Sequence, residues 1–393
     1  VEPGQTIKAG ELVGRPLDDR AVPVHSGVSG RVIALEERPT AAGNCLCVVV
    51  RNDGNGTKAP PLPPVQGTQG LTGLMRDAGL CGMGGAGFPT FLKYATDQTI
   101  RHILINGCEC EPYLTCDHAL MLREAEKILT GAKAFADAVG GATVKICVED
   151  NKPNAIDRLR AAARNSGAEV VVLPARYPQG GERQLIQSVL HEEVPAGKLP
   201  ADCGVLVSNV ATAAAMADAL AGLPLTHRIV TISGHVERPA NLRVPIGTPV
   251  SALLDRCGTR PDCIGRWRLI AGGPMMGIAQ HTLEVGIIKG TNAVLCLTRK
   301  EAAPIETEEV CLRCARCVNV CPMHLTPVYM HLYAGKGMWK EAEALNVMDC
   351  IECGSCNYIC PGRLHLVQSF RMTKMELRQL AAKEKAAKEA AKA

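Results

Sequence analysis

Apolar and polar positions change rhythm four times along the chain. Residues 1–58 are short apolar runs broken by Gly and Pro. Val22 to Ala34 reads as two short strands around a Ser-Gly turn, and Val48-Val49-Val50 as a further strand, so a small all-β module is expected. Asn52 to Gly56 and the Pro-rich Ala59 to Pro64 follow as a stiff linker, taken to run over 59–75. Residues 70–225 then alternate between strand and helix signals. Strands are expected at Ile103–Ile105, Val144–Val148, Val170–Leu173 and Val205–Val207. Helices are expected over His118–Val139, from Pro153, over Glu182–Leu190 and over Ala211–Leu220. That order predicts a parallel sheet with helices on both faces, assigned to residues 76–225.

Residues 226–300 return to a strand rhythm, in Arg228–Val236 and Val244–Thr248, interrupted by one short helix, Val250–Arg256. Residues 301–380 carry dense cysteine motifs among short helices. Arg363 to Leu380 is basic and amphipathic, with Leu366, Phe370 and Leu377 along one side. Such a face could meet a partner helix or anionic lipid, but packing on its own domain is the favoured reading. Ala381 to Ala393 is an Ala/Lys/Glu tail, read as frayed helix or disordered chain.

Composition narrows the classes. The 393 residues carry a formal net charge of +4 without a basic stripe, and aromatics are scarce, so nucleic acid is not an expected partner. No apolar run reaches bilayer length, which reads as a soluble or peripheral chain. Val1-Glu2-Pro3-Gly4 shows no signal-peptide pattern and resembles the interior of a domain.

Of the 19 cysteines, eight fall in two quadruplets, Cys311-x2-Cys314-x2-Cys317-x3-Cys321-Pro322 and Cys350-x2-Cys353-x2-Cys356-x3-Cys360-Pro361. This is the spacing of two-cluster iron–sulfur proteins, in which the fourth cysteine serves the other cluster. The expected quartets are Cys311, Cys314, Cys317 and Cys360 on one [4Fe–4S] centre, and Cys321, Cys350, Cys353 and Cys356 on the other. Two zinc sites are the competing reading, although zinc favours paired C-x2-C knuckles. A helical stretch, Tyr329–Leu345, fills the spacer, and the motifs favour a reducing compartment such as the cytoplasm.

Gly79 to Thr90 is a glycine-rich loop that could close backbone N–H groups on an anion, with Lys93 in reach of a phosphate. A merely flexible loop is the alternative. Three polar turns follow three strands: Asn106 to Pro112, Tyr177 to Glu182 and Ser208 to Thr212. Their convergence on one sheet edge predicts a pocket there. His25, His235 and His281 are isolated and read as surface or satisfied core residues.

Gly79 to Tyr94 resembles the FMN loop of the NADH-binding subunit of respiratory complex I. The strings GGAGFP, NGCECEP, TISGHVERP and GGPMMG with the two cysteine quadruplets resemble, over essentially the whole chain, the RnfC family, the C subunits of the Rnf (Rsx) ion-translocating electron-transport complexes. The resemblance implies a multidomain α/β plus β chain. Its parts are a barrel-sandwich module over 1–58, an FMN/NADH-binding α/β domain over 76–225, an SLBB-like β-grasp domain over 226–300 and a helical two-cluster ferredoxin domain over 301–380. It implies FMN at Gly82, Gly84, Gly85, Lys93, Asn106, Glu109 and Asn209, and NAD(H) near Phe88, Glu111 and Glu182. It further implies an oxidoreductase at the cytoplasmic face of the bacterial inner membrane, peripheral, with the other Rnf subunits as partners. These are the membrane-embedded RnfA, RnfD, RnfE and RnfG and the iron–sulfur protein RnfB, with ferredoxin as an indirect partner. Met83, Cys108 and Gly181 depart from complex I, which has arginine, aspartate and glutamate there. A cobalamin reductase with the same modules in another order, and a non-enzymatic iron–sulfur adaptor, are the rival readings.

Overall fold

The computed structural model describes the chain apart from residues 66, 68, 69, 86, 260–266, 299, 300, 302–309 and 391–393. Two compact units result, Val1–Ala302 and Ala303–Ala393. The expected border between the β-grasp and ferredoxin domains, at 300/301, and the end of the tail lie outside the described residues.

The first unit opens with strands β1 (Thr6–Ile7), β2 (Leu12–Gly14), β3 (Val24–His25), β4 (Gly30–Thr40) and β5 (Gly43–Asn52). The two strands expected within Val22–Ala34 are β3 and the start of β4, but they enter different sheets, β2-β3 and β1-β4-β5. The β4–β5 hairpin is longer than its apolar run. Its turn is closed by Thr40, whose hydroxyl donates to the Gly43 carbonyl at 2.7 Å, with Gly43 at φ +109°.

The linker is shorter than the expected 59–75. Helix α1 (Leu71–Asp77) already begins inside that span and buries Leu71, Leu74 and Met75. The Pro-rich segment is docked: Ala59 N–H donates to the Ala9 carbonyl and Leu62 N–H to that of Gly222, both at 2.8 Å.

The α/β domain follows with α2 (Thr90–Tyr94), β6 (His102–Gly107), α3 (Cys116–Arg123), α4 (Ala125–Ala138), β7 (Thr143–Glu149), α5 (Pro153–Ala163), β8 (Glu169–Leu173), α6 (Glu182–Leu190), β9 (Val205–Asn209) and α7 (Val210–Leu220). The sheet order is β8-β7-β6-β9, all parallel. Because side chains alternate across a strand, Ile103, Ile105, Ile146 and Val148 meet α1, α4, α5 and α7 on one face. Leu104, Cys147, Val205 and Val207 meet α6 on the other. The single helix expected over His118–Val139 is two. Glu124 leaves helical geometry at φ −128°, ψ 33°, so α3 and α4 each turn an apolar side inward. No Gly or Pro marks that break. Helix α7 is alanine-rich for a steric reason: it crosses α4 so closely that a Cβ on Gly131 would lie 1.8 Å from the Ala213 carbonyl oxygen.

A β-grasp sheet ends the unit, built from β10 (His227–Gly234), β11 (Ala240–Pro245), β12 (Trp267–Ala271), β13 (Ile278–Gln280) and β14 (Ala293–Thr298) in the order β11-β10-β14-β12-β13. Helix α8 (Val250–Cys257) packs Leu253, Leu254 and Cys257 on Val230, Ile232 and Val294.

The second unit is helical: α9 (Arg316–Asn319), α10 (Pro327–Ala334), α11 (Trp339–Ala344), α12 (Ser355–Ile359) and α13 (Leu366–Ala390). The stretch expected to be helical over Tyr329–Leu345 is divided between α10 and α11 by Gly335-Lys336-Gly337, with Gly337 at φ +68°. Leu366, Phe370 and Leu377 are buried against the unit's own core, in line with the favoured reading. Residues 381–388 continue α13 as an exposed helix.

The α4–α7 crossing has a direct consequence. Gly131→Ala should destabilise the first unit by about 1–3 kcal/mol, the usual cost of overpacking. A lowered urea midpoint by far-ultraviolet circular dichroism would register it, with Gly73→Ala in α1, where a Cβ would meet nothing within 4 Å, as the comparison for a glycine outside the crossing.

Candidate functional site

The glycine loop is pinned rather than loose. Gly79 O accepts from the Lys289 ammonium at 2.7 Å, and Gly82 N–H donates to Phe88 O at 2.8 Å. Met83 N–H donates to the Thr212 hydroxyl at 3.0 Å, and Met83 O accepts from the Arg228 guanidinium at 3.0 Å. Gly84 lies on the Asn209 side chain, where an added Cβ would meet Nδ2 at 2.7 Å. At Gly85 and Gly87 a Cβ would meet nothing within 4 Å, and Gly87 sits at φ +69°. The loop is thus held from behind and open at Gly85 and Gly87. Met83 and Gly84 abut the amino end of α7, whose peptide dipole favours an anion.

The three polar turns do converge. Asn106, ending β6, donates from Nδ2 to Gly180 O at 2.9 Å and accepts from Cys108 N–H at 3.0 Å. Gly180 must be glycine, since a Cβ would lie 2.5 Å from Cys108 O. Asn209, ending β9, caps α7 by accepting from Ala211 N–H at 2.8 Å and donates from Nδ2 to Asp117 at 2.6 Å. Lys93 donates to Glu182 and to Val207 O, both at 2.6 Å. Phe88 stands 55% exposed on the loop.

Glu109 caps α3, accepting from Asp117 N–H at 2.8 Å, His118 N–H at 3.2 Å and the Cys116 thiol at 3.4 Å. Burial, and then the Asp117 charge, push its carboxyl up to about 7. Asp117 is raised by burial as well, against the pull of Asn209 and Arg228. Glu111 is held from the β-grasp domain by the N–H groups of Met275 and Met276. Beside the first of these turns opens a cleft of about 440 Å³, walled by residues 109–115 and His118, by Glu149, Asn151 and Lys152 after β7, and by Ala175, Arg176 and Tyr177 after β8; the glycine loop and Asn209 are not part of its wall. Lys152 is buried and pairs with Glu149 at 2.8 Å.

Sequence reasoning did not single out Asp117, Thr212, Arg228, Lys289 or Lys152. Two of them carry a legible signal. Arg228 opens a buried strand, and Lys289 ends the apolar run Val285 to Ile288, so each is a cation where burial is expected. His25 is buried, and burial together with Lys289 lowers it to about 4, which leaves it neutral.

In the second unit the two cysteine motifs repeat in backbone as well as in sequence. Arg313, Ala315 and His324 hold φ of 54°, 58° and 52°, and their counterparts 39 residues on, Glu352, Gly354 and Arg363, hold 56°, 80° and 50°. These left-handed positions turn amides toward sulfur. Arg313 N–H reaches Cys311 Sγ and Glu352 N–H reaches Cys350 Sγ, both at 3.4 Å, as Leu325 N–H does Cys321 Sγ. Cys321 shares one small cavity with Cys350, Cys353 and Cys356, walled by Met323, Leu325, Met330, Val367 and Phe370. Cys360 in turn neighbours Cys317, whose thiol it helps burial to raise.

Amide donors to three of these thiols and an apolar wall around four of them suit an iron–sulfur centre. Glu109, Cys116 and Asp117 of the first unit also bring their ligand atoms within 4.8 Å of one another.

Comparison with known proteins matches four stretches of the chain to known domains. Residues 1–55 match the RnfC barrel sandwich hybrid domain, 75–218 the Nuo51 FMN-binding domain, 229–279 the SLBB domain and 303–361 the 4Fe-4S dicluster domain. The chain is 44% identical over 388 residues to the C subunit of the Na(+)-translocating ferredoxin:NAD(+) oxidoreductase complex of Acetobacterium woodii, covering 96% of this chain and 87% of that one. It is 38% identical to the C subunit of the proton-translocating ferredoxin:NAD(+) oxidoreductase complex of Clostridium ljungdahlii, covering 98% and 86%. It is 39% identical to the C subunit of the ion-translocating oxidoreductase complex of Rhodobacter capsulatus, covering 94% and 73%. A solved NAD+-reducing [NiFe]-hydrogenase in the air-oxidised state shares the fold, with a TM-score of 0.52 at 19% identity over 78% of this chain and 53% of that one.

The Glu109 carboxyl generates a pH test. It titrates near 4.5 when unfolded and near 7 in the fold, so the folded state holds the extra proton between those values and stability falls as pH rises through that window. For FMN-free protein, Glu109→Gln should flatten the decline in urea midpoint between pH about 5 and about 8. An unchanged slope would contradict the assignment.

Proposed function

Because the chain belongs to the RnfC family, the C subunits of the Rnf ion-translocating ferredoxin:NAD(+) oxidoreductases, we propose that it is the place where NAD(H) exchanges hydride with FMN and from which electrons leave singly through two [4Fe–4S] clusters. The observation that carries the flavin assignment is the loop at Gly82, Gly84 and Gly85, pinned from behind, open in front and set against the amino end of α7. When bound, FMN supplies a carrier that accepts two electrons together and returns them one at a time.

The chain's residues bind and orient. Gly85 and Gly87 leave the backbone free to approach the ligand. Asn106 and Asn209 fix the turns around it, and Glu109 can hold a proton beside it near neutral pH. Lys93 is neutralised by Glu182, so an anion reaching Lys93 would compete with that carboxylate. In this reading Phe88, Glu111 and Glu182 stand on the nucleotide side of the flavin, and of the three Glu111 lines the cleft. Cys311, Cys314, Cys317 and Cys360 hold one cluster, and Cys321, Cys350, Cys353 and Cys356 the other, supported by the cavity those last four share.

No helix among the described residues is long and apolar enough to cross a membrane. The reading gives the ion step to the membrane-embedded RnfA, RnfD, RnfE and RnfG, with the iron–sulfur protein RnfB as a further partner and ferredoxin as an indirect one. It sets this chain at the cytoplasmic face of the bacterial inner membrane.

Anaerobically purified protein should release FMN on denaturation, carry roughly eight iron and eight sulfide per chain, and pass electrons from NADH to an artificial acceptor. Iron without flavin, or flavin without NADH-dependent turnover, would contradict the reading. Crossed ligation has its own signature. Cys360→Ser combined with Cys314→Ser should lose about four iron, no more than either alone, whereas Cys360→Ser with Cys353→Ser should lose both clusters. The opposite pairing of losses would mean uncrossed quartets.

A further inference from the structure

The hexapeptide Gly272-Gly273-Pro274-Met275-Met276-Gly277 joins β12 to β13 in the β-grasp domain, outside the α/β sheet that builds the cleft. Its turn is tight. Gly277 N–H donates to Gly273 O at 2.8 Å, and Gly272 sits at φ +101°. The turn presents two successive N–H groups to one carboxylate: Met275 donates to Glu111 Oε2 at 3.2 Å and Met276 to Oε1 at 2.8 Å. Both oxygens are engaged, so the plane of the carboxylate is fixed. The approach leaves no room for a side chain, since a Cβ on Gly273 would lie 2.3 Å from Glu111 Oε2 and 2.4 Å from Cδ. A Cβ on Gly277 would lie 2.3 Å from Gly273 O.

Three glycines therefore serve one contact, and that contact reaches from one domain to a carboxylate lining the cleft of another. We propose that the Gly272–Gly277 turn is a positioning element that clamps Glu111 in the orientation in which it receives a nicotinamide nucleotide. The inference rests on the reading that Glu111 lines the nucleotide site. Its physical basis is preorganisation: a carboxylate already immobilised by two amides loses no rotamer freedom when the ligand arrives, whereas a free one does. The turn acts through Glu111 and itself touches no reacting atom.

The test uses the FMN-loaded chain. Gly273→Ala should displace the carboxylate and raise both KM for NADH and the calorimetric Kd for NAD+ about tenfold, with kcat within about twofold and FMN content unchanged. In a Glu111→Ala background the same substitution should add nothing, because the group it displaces is gone. Unchanged KM and Kd in Gly273→Ala while Glu111→Ala raises them, or equal effects of Gly273→Ala in both backgrounds, would overturn the clamp. If Glu111→Ala leaves KM and Kd untouched, the placing of Glu111 in the nucleotide site fails instead. Should Gly273→Ala not retain flavin, hydrogen exchange decides. The amides of Met275 and Met276 should exchange at least about tenfold faster in Glu111→Ala than in the parent, and equal rates would refute the contact.

Discussion

The side chain of Asn209 is the point on which the flavin domain closes. Its carbonyl caps α7, its amide holds Asp117 at the start of α3, and its flank receives Gly84. One short amide thereby joins a strand end, two helix starts and the glycine loop. A residue without both a donor and an acceptor would leave either the α7 amides or the Asp117 carboxylate unpaired in a buried place, where each is costly. A bulkier residue would expel Gly84. The loop has its form because this corner is already full, and the open side at Gly85 and Gly87 is what remains.

The parts of the fold that could be read in sequence are those fixed by local periodicity. Ile103-Leu104-Ile105 and Val144 to Val148 announce a sheet buried on both faces, and the pockets of polarity after each strand announce its ligand edge. The cysteine spacing was legible because thiolates on a polynuclear centre demand it. What escaped belongs to tertiary packing. The break at Glu124 has no local breaker, and its cause is that α3 must bring Asp117 to Asn209 while α4 follows the sheet. The linker's early end at Leu71 is likewise a matter of burial. Asp117 escaped because nothing in Thr115-Cys116-Asp117-His118 marks it as buried, whereas Arg228 and Lys289 could have been found as cations where burial is expected.

The second unit shows how duplication tolerates asymmetry. Two motifs 39 residues apart repeat the same left-handed positions and the same amide-to-sulfur contacts. Their surroundings differ: Cys353 and Cys356 are buried, whereas Cys314 is exposed. Lys374, itself buried, donates to Cys350 O at 2.5 Å and to Glu352 at 2.8 Å. Solvent access and nearby charge tune such centres, so identical ligand sets stand in unlike environments.

Lys289 bears on modular descent. Its largely buried ammonium, lowered to about 8 by desolvation, donates at 2.7 Å to Pro23 O in the small β module as well as to Gly79 O in the flavin loop. One charge thus ties together three segments that look separable on paper. A gene fusion or deletion that removed the first of them would strand a cation with half its partners, next to the loop that needs it most. Exchanging one of these pieces alone would therefore carry a cost in stability unless a new acceptor for that ammonium came with it.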